Sequence, residues 1–400
     1  MRLIRRDALG SAALAAAVLC ASYVLHSPRA LAHYSDVVSL YYTIYSSPER
    51  WFEGRQLNPG VPYFDYHFEY PPLVGLSWWL STLAAEAWGG EDLWSKVGVH
   101  FDINAALSSL FYALYVIAAL SFYRLIAADP LALGLALASP SMIYYLFYNW
   151  DIQATALATW SALLLLRGSE LRSSLSLSFS ALAKLLPLTA LPGLLVDAYR
   201  RGGARAAARA LHILSPLALV GLVALILCPR GLETFLEHHA HWYCENCFYV
   251  LAIGDLWDPM WRRASVILSI GVAGALGVYL ASSLDERDAR TPISLYFLPV
   301  AAFISLSYVY SPQMNILFSP LFLVLPRPLL YVALAQDALN ASIMLLWPYN
   351  DSFCERWGVG CDGPWTRESP IQWVAFARIA LLWVVVALAS RALHRSARNA

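Results

Sequence analysis

The chain is short of charge. Only 14% of its 400 residues are Asp, Glu, Lys or Arg, whereas water-soluble domains carry about 25%. Acids and bases number 27 each and cancel to a formal net charge of zero. No basic field is therefore available to draw a nucleic acid, and polyanions are excluded as partners. No internal repeat is evident, and no polar stretch is long enough to make a soluble domain. What is abundant is apolar surface: 59% of residues are hydrophobic and the mean hydropathy is +0.54. A water-soluble core cannot absorb that excess.

Apolar runs near the ~20 residues that cross a bilayer recur along the chain. They lie at 8–26, 71–88, 103–126, 131–148, 152–166, 173–197, 211–228, 263–283, 292–308, 313–330, 329–347 and 371–390. Crossings of that length predict about 11–13 membrane segments. The runs are continuously apolar and rich in Leu and Ala, so they read as helices and not as the alternating strands of a barrel. The expected fold class is an all-α, polytopic transmembrane helical bundle over 1–400.

Arginines near the helix ends set the expected orientation. Arg2, Arg5 and Arg6 precede the first run, Arg200, Arg201, Arg205 and Arg209 follow the 173–197 run, and Arg391, Arg395 and Arg398 close the chain. With those clusters cytoplasmic, both termini are cytoplasmic and three polar segments face outward: 33–70, 229–261 and 348–370. Arg167 and Arg172 also read as cytoplasmic. That holds only if the 173–197 run enters and returns, and Pro187 and Pro192 are placed to break it.

Four of the six cysteines, Cys244, Cys247, Cys354 and Cys361, fall in these outer segments, where an oxidising environment preserves disulfides. Local pairs are expected, although four cysteines allow three pairings. The alternative is a zinc site at Cys244-Glu245-Asn246-Cys247 with His238, His239 and His241 nearby. At the N-terminus, Ala30-Leu31-Ala32 imitates a signal-peptide cleavage site. The run from Ala8 to Leu25 is longer than a usual signal core, and His26, Pro28 and Arg29 intervene, so an uncleaved first helix is expected.

The first outer segment is dense in aromatics and carboxylates. Trp and Tyr alone are ordinary interface residues; their mixture with acids is not. Asp36 follows the first helix almost directly, where a carboxylate held at fixed depth could take a proton from a bound hydroxyl. The plain alternative is a solvated acid. Lys184 lies inside an apolar stretch, which costs about 2.5–3.5 kcal/mol on insertion scales and marks a functional hypothesis by default. Snorkelling to the interface is its plain alternative.

Asp36 after the first helix, Phe68-Glu69-Tyr70-Pro71-Pro72-Leu73 at the start of the second, Ala183-Lys184-Leu185-Leu186-Pro187, and Ser311-Pro312-Gln313 form an ordered set. In this the chain resembles the polyprenyl-phosphate-sugar-dependent membrane mannosyltransferases of the C-type glycosyltransferase superfamily. The likeness is to their bacterial and archaeal α-mannosyltransferase branch, with a fainter one to the glycosylphosphatidylinositol mannosyltransferases. Val38 stands where a second acid would complete Asp-x-Asp, which counts against a metal bridge there.

The resemblance implies transfer of a hexose, mannose by preference, from a polyprenyl-phosphate sugar to a lipid or glycan hydroxyl on the outer face. No cofactor or metal is implied; the lipid-linked sugar is itself the donor. Asp36 would be the general base, and the anomeric carbon would invert. Lys184 would face the departing phosphate, and one of His238, His239 and His241 would serve in the outer loop. Glu69, Tyr70, Asp151 and Gln313 would line the substrate pocket, or the last two merely cap helices. A transporter or lipid flippase is the main alternative, and a non-catalytic assembly subunit the third.

Overall fold

In the computed structural model, which describes residues 2–252, 255–285 and 288–399, the chain is helical throughout, and no strand occurs among the described residues. Three isolated backbone bridges are the only β pairing there. The side chains of Arg2, Arg5, Arg6 and Arg398 lie outside the described residues. In chain order the helices begin with α1 (Arg2–His26), α2 (Asp36–Ser46), α3 (Pro72–Trp88), α4 (Leu93–Ile126), α5 (Pro130–Ala138) and α6 (Pro140–Tyr145). There follow α7 (Asp151–Leu166), α8 (Glu170–Ala183), α9 (Leu191–Arg201), α10 (Gly203–Leu227) and α11 (Pro229–Ala240). The last five are α12 (Pro259–Ser283), α13 (Arg290–Leu306), α14 (Arg327–Leu346), α15 (Asn350–Trp357) and α16 (Pro370–Asn399).

Among the described residues, six helical stretches are long and apolar enough to cross a membrane: Leu9–His26, Leu93–Ile126, Gly203–Leu227, Pro259–Ser283, Arg327–Trp357 and Pro370–Arg395. The other apolar runs are shorter elements, and local chemistry accounts for several of the breaks. Ser139-Pro140 splits the 131–148 run: the Ser139 side chain accepts from Met142 N at 3.3 Å and Pro140 opens the next helix. The 313–330 run becomes a buried 3-10 helix, Pro312–Val324. At about 2.0 Å per residue its 13 residues span about 26 Å, nearly the hydrocarbon thickness.

The surface agrees with a lipid environment. Only 6% of the apolar window of α10 is buried, and Leu219, Leu222, Leu225, Ile226 and Leu227 are exposed. Ile267 and Ile270 of α12 are exposed too. Contiguous apolar area of this kind is unfavourable in water and neutral in hydrocarbon.

Within the bundle the 173–197 run turns back on itself. α8 stops at Ala183, Lys184 is extended (φ −160°, ψ 131°), a 3-10 turn Leu186–Ala190 follows, and α9 runs back. At the far end Arg209 binds Glu170 of α8 at 3.0 Å and Asp197 of α9 at 3.2 Å. Arg167, Arg172 and the Arg200–Arg209 cluster thus share one end of the bundle. Lys184 sits at the other end, about 24 Å away along α7 by helix rise.

The polar segments are also structured. The 229–261 segment holds amphipathic α11, which docks on the 33–70 segment. Arg230 Nη1 donates to Phe52 O at 2.6 Å with its guanidinium 4.7 Å above the Phe52 ring. Gly231 lies against the Tyr63 backbone so closely that a Cβ there would strike the Tyr63 carbonyl. Gly231→Ala is therefore expected to cost about 1–3 kcal/mol by overpacking and to lift α11 away. Gly221→Ala, whose added carbon meets nothing within 4 Å, is the control. Thermal unfolding in detergent checks this: a midpoint lowered only in Gly231→Ala is the expected result.

Candidate active site

Asp36 is the first residue of α2. Ser35 caps that helix by accepting from Val38 N at 3.2 Å, and the Asp36 N–H donates to Tyr148 O at 2.9 Å. The carboxylate is thereby fixed at a helix N-terminus, where negative charge is favoured, between the outer segment and the α6–α7 linker. Its Oδ2 accepts a hydrogen bond from Tyr70 OH at 2.8 Å. Tyr70 is held in turn: Tyr63 OH donates to Tyr70 O at 2.6 Å, and the Trp150 ring stands edge-on at 4.7 Å.

Asp36 keeps part of its surface open to solvent, yet protein surrounds it. Burial pushes its carboxyl up to about 7; the Tyr70 hydrogen bond opposes that, and the charges of Glu69, Glu245 and Asp151 add to it. A carboxylate titrating there can take and return a proton near neutral pH.

Asp151 opens α7 and is 3% exposed at its side chain. Lys184 Nζ reaches both of its oxygens, at 2.6 and 2.8 Å. Each charge lies at the helix end that suits it, the acid at the N-terminus of α7 and the base at the C-terminus of α8. The break after Ala183 therefore presents carbonyls and an ammonium at the site. The helix N-terminus that could face a phosphate is that of α7, not a half-helix made by the break.

Glu69 lies 3.8 Å from Arg50 Nη1 and 3.8 Å from His238 Nε2. Burial raises its carboxyl and Arg50 partly restores it. His238 packs on Trp242 at 4.4 Å and on His67 at 5.4 Å. Burial, with His239, His67 and Arg50 nearby, brings His238 down to about 3, so it is neutral at pH 7 and acts as a hydrogen-bonding group.

Asp36, Glu69, Tyr70, Asp151, Lys184 and His238 thus gather at one end of the bundle. His241 does not join them: it is exposed, and its Nδ1 donates to Glu237 O at 2.9 Å. His239 is exposed and packs on Phe235 with ring centroids 4.5 Å apart, yet the charge of Lys184 reaches it, so it lies at the edge of the group. Gln313 is buried in the 3-10 helix, its Oε1 without a protein partner. Cys244–Cys247 and Cys354–Cys361 are disulfides, which replaces the zinc alternative with the local pairing. Among the described residues no group of three or more His, Cys, Asp or Glu could hold a metal.

Two members of this region gave no motif-level signal. Glu245, inside the first disulfide, has its charge within reach of Asp36, and its carboxylate accepts from Trp242 Nε1 at 2.8 Å. Arg378 is fully buried in α16; it donates to Asn340 Oδ1 and to Tyr310 O, with its guanidinium 3.7 Å from the Tyr310 ring centroid. That contact holds the Tyr310-Ser311 turn from beneath. An arginine inside the apolar 371–390 run was the available signal, since a charge there needs partners. A cleft of about 760 Å³, lined by Arg29, His33, Tyr34, Ser35, Ser39 and Trp94 among others, adjoins the site; Asp36 does not line it. No family model matches the chain, and no curated protein matches it.

Proposed function

We propose that the protein transfers a hexose, mannose by preference, from a polyprenyl-phosphate sugar to a hydroxyl of a lipid or glycan. The observation that carries this is a fixed, solvent-touched carboxylate, Asp36, hydrogen-bonded by Tyr70 and within electrostatic reach of Asp151, the partner of Lys184. Asp36 deprotonates the acceptor hydroxyl as its oxygen attacks the anomeric carbon. The bond to phosphate breaks with inversion, and the leaving polyprenyl phosphate carries the negative charge away. Lys184 lies where a cation can meet that charge, a role best served by a preorganised donor in a water-poor site. His238, neutral, offers a ring N–H to the same region.

The active face is the outer one. The Cys244–Cys247 disulfide brackets Glu245 and persists on an oxidising side, while the arginine cluster lies at the opposite end from Lys184 and favours the cytoplasm. Sequence position and geometry support the same sidedness independently. A lipid-borne donor fits a chain whose apolar helices are exposed as they would be in a bilayer.

The test is direct. Purified protein in lipid is given polyprenyl-phosphate-mannose and hydroxyl acceptors, with Asp36→Asn alongside. Sugar transfer by the wild type, lost in the variant, is expected. Solute or lipid flux across vesicles, with no transfer from any polyprenyl-phosphate hexose, overturns this reading in favour of a transporter.

A further inference from the structure

The loop that carries Glu245 is held from several directions. Cys244 and Cys247, both fully buried, are bonded on either side of it. Its backbone bridges to the Tyr308–Tyr310 segment: Glu245 N donates to Tyr308 O at 3.1 Å, and Tyr310 N donates to Glu245 O at 2.9 Å. Tyr310 is anchored beneath by Arg378. Asn246, the next residue, adopts the left-handed conformation (φ 49°), which L residues enter only under constraint. A carboxylate set on such a mount keeps its position at little entropic cost.

Its surroundings say what it can take. Glu245 remains partly open to solvent. Trp242 Nε1 donates to Oε2, and the Ser311 hydroxyl also hydrogen-bonds the carboxylate. A carboxylate has about four lone-pair directions, so acceptor capacity remains on the open side. Its charge reaches Asp36, and the charges of Lys184 and Arg378 reach it. Geometry makes the same link: Trp242, which donates to Glu245, packs on His238 at 4.4 Å, and His238 lies 3.8 Å from Glu69, so Glu245 lies among the residues that surround the base. What must occupy the space between a base and a leaving group is the ring being transferred.

We infer that Glu245 is a further substrate-contacting residue, whose carboxylate accepts a hydrogen bond from a hydroxyl of the transferred sugar. The inference rests on the sugar-transfer reading and deepens it, by assigning recognition of the hexose to the disulfide-bounded loop. No covalent step is involved; Glu245 selects and orients the ring while Asp36 does the proton transfer.

The test uses the full chain in lipid, with Glu245→Gln and Glu245→Asp. Loss of a hydrogen bond to a charged acceptor weakens binding about tenfold to a hundredfold, so Glu245→Gln is expected to raise KM for polyprenyl-phosphate-mannose by that factor. Its kcat should change far less and its thermal midpoint should match wild type. Glu245→Asp keeps the charge but withdraws it, and is expected to raise KM as well. Unchanged KM in both variants of a transferring enzyme overturns the inference and leaves the transferase reading intact.

A second readout does not depend on transfer. The infrared band of the protonated Asp36 carboxyl, identified by its absence in Asp36→Asn, should titrate near pH 7 in wild type. The groups facing Asp36 are Tyr70 and Glu69 of the outer segment, Tyr34 before α2, Asp151 of α7, Tyr148 of the α6–α7 linker and Glu245. Removing the last charge should move the midpoint lower in Glu245→Gln and leave it nearly in place in Glu245→Asp. If wild type transfers nothing, the transferase reading fails. A midpoint that does not move in Glu245→Gln then overturns the placement of Glu245 beside the base, and a lowered one upholds that placement.

Discussion

Asp36→Asn is expected to slow sugar transfer by about 10²–10⁴-fold, the range over which a positioned general base contributes. The substitution is conservative in shape: the amide oxygen can still accept from Tyr70 OH, which lies 2.8 Å from the carboxylate. The loss would therefore report the missing base and not a collapsed site. Wild-type activity should rise with pH through about 7, because the carboxyl is pushed up to that value by burial and by neighbouring negative charge, and the base works only when ionised. Stability runs the other way. A carboxyl raised in the folded state favours folding most below its unfolded value near 3.9 and loses that contribution as pH rises through about 7. Asp36→Asn should then unfold at a temperature no lower than wild type at pH 8. Transfer that persists undiminished in the variant removes Asp36 from its role.

Lys184→Met is expected to cause the largest loss of stability, about 3 kcal/mol. That is the low end of the cost of breaking a buried pair, chosen because Lys184 keeps 16% of its side-chain surface exposed. Asp151, only 3% exposed, would be left charged among apolar neighbours. Asp151→Asn should cost less, since Lys184 can turn its ammonium toward the solvent of the cleft. The double variant, Lys184→Met with Asp151→Asn, removes both charges and should recover most of the stability. Transfer should not recover with it: losing a preorganised charge-stabilising donor costs about 10²–10³ in kcat. Unfolding midpoints and transfer rates on the three variants separate the structural role from the chemical one. A double variant that regained wild-type activity would show the pair to be purely structural.

The break near Lys184 was legible because proline chemistry is local: Pro187 lacks the N–H that would continue α8, and Pro192 is tolerated in the first turn of the helix that follows. The arginines confirmed it, since Arg167 and Arg200 could share a face only if the chain turned back. Asp36 was legible from its place just after an apolar run. His238 could not be told from His239 or His241, because the first two adjoin on one amphipathic helix that the third caps, and they differ in the face they present. That face was decided by α11 docking through Arg230 and Gly231 onto the first outer segment.

The amino-acid sequence by itself determined that this is an all-α membrane bundle, where its polar segments lie, and where one apolar run reverses. These follow from hydropathy and proline, each readable within a few residues. Only the tertiary structure decided which cysteines pair, that Lys184 meets Asp151 from 33 residues away, that Glu245 is bonded by Trp242 with its charge in reach of Asp36, and that Arg378 underpins the turn at Tyr310 from 68 residues away. A buried charge announces in the sequence that it needs a partner. Which partner it finds depends on how helices pack across the bundle, and no local pattern encodes that.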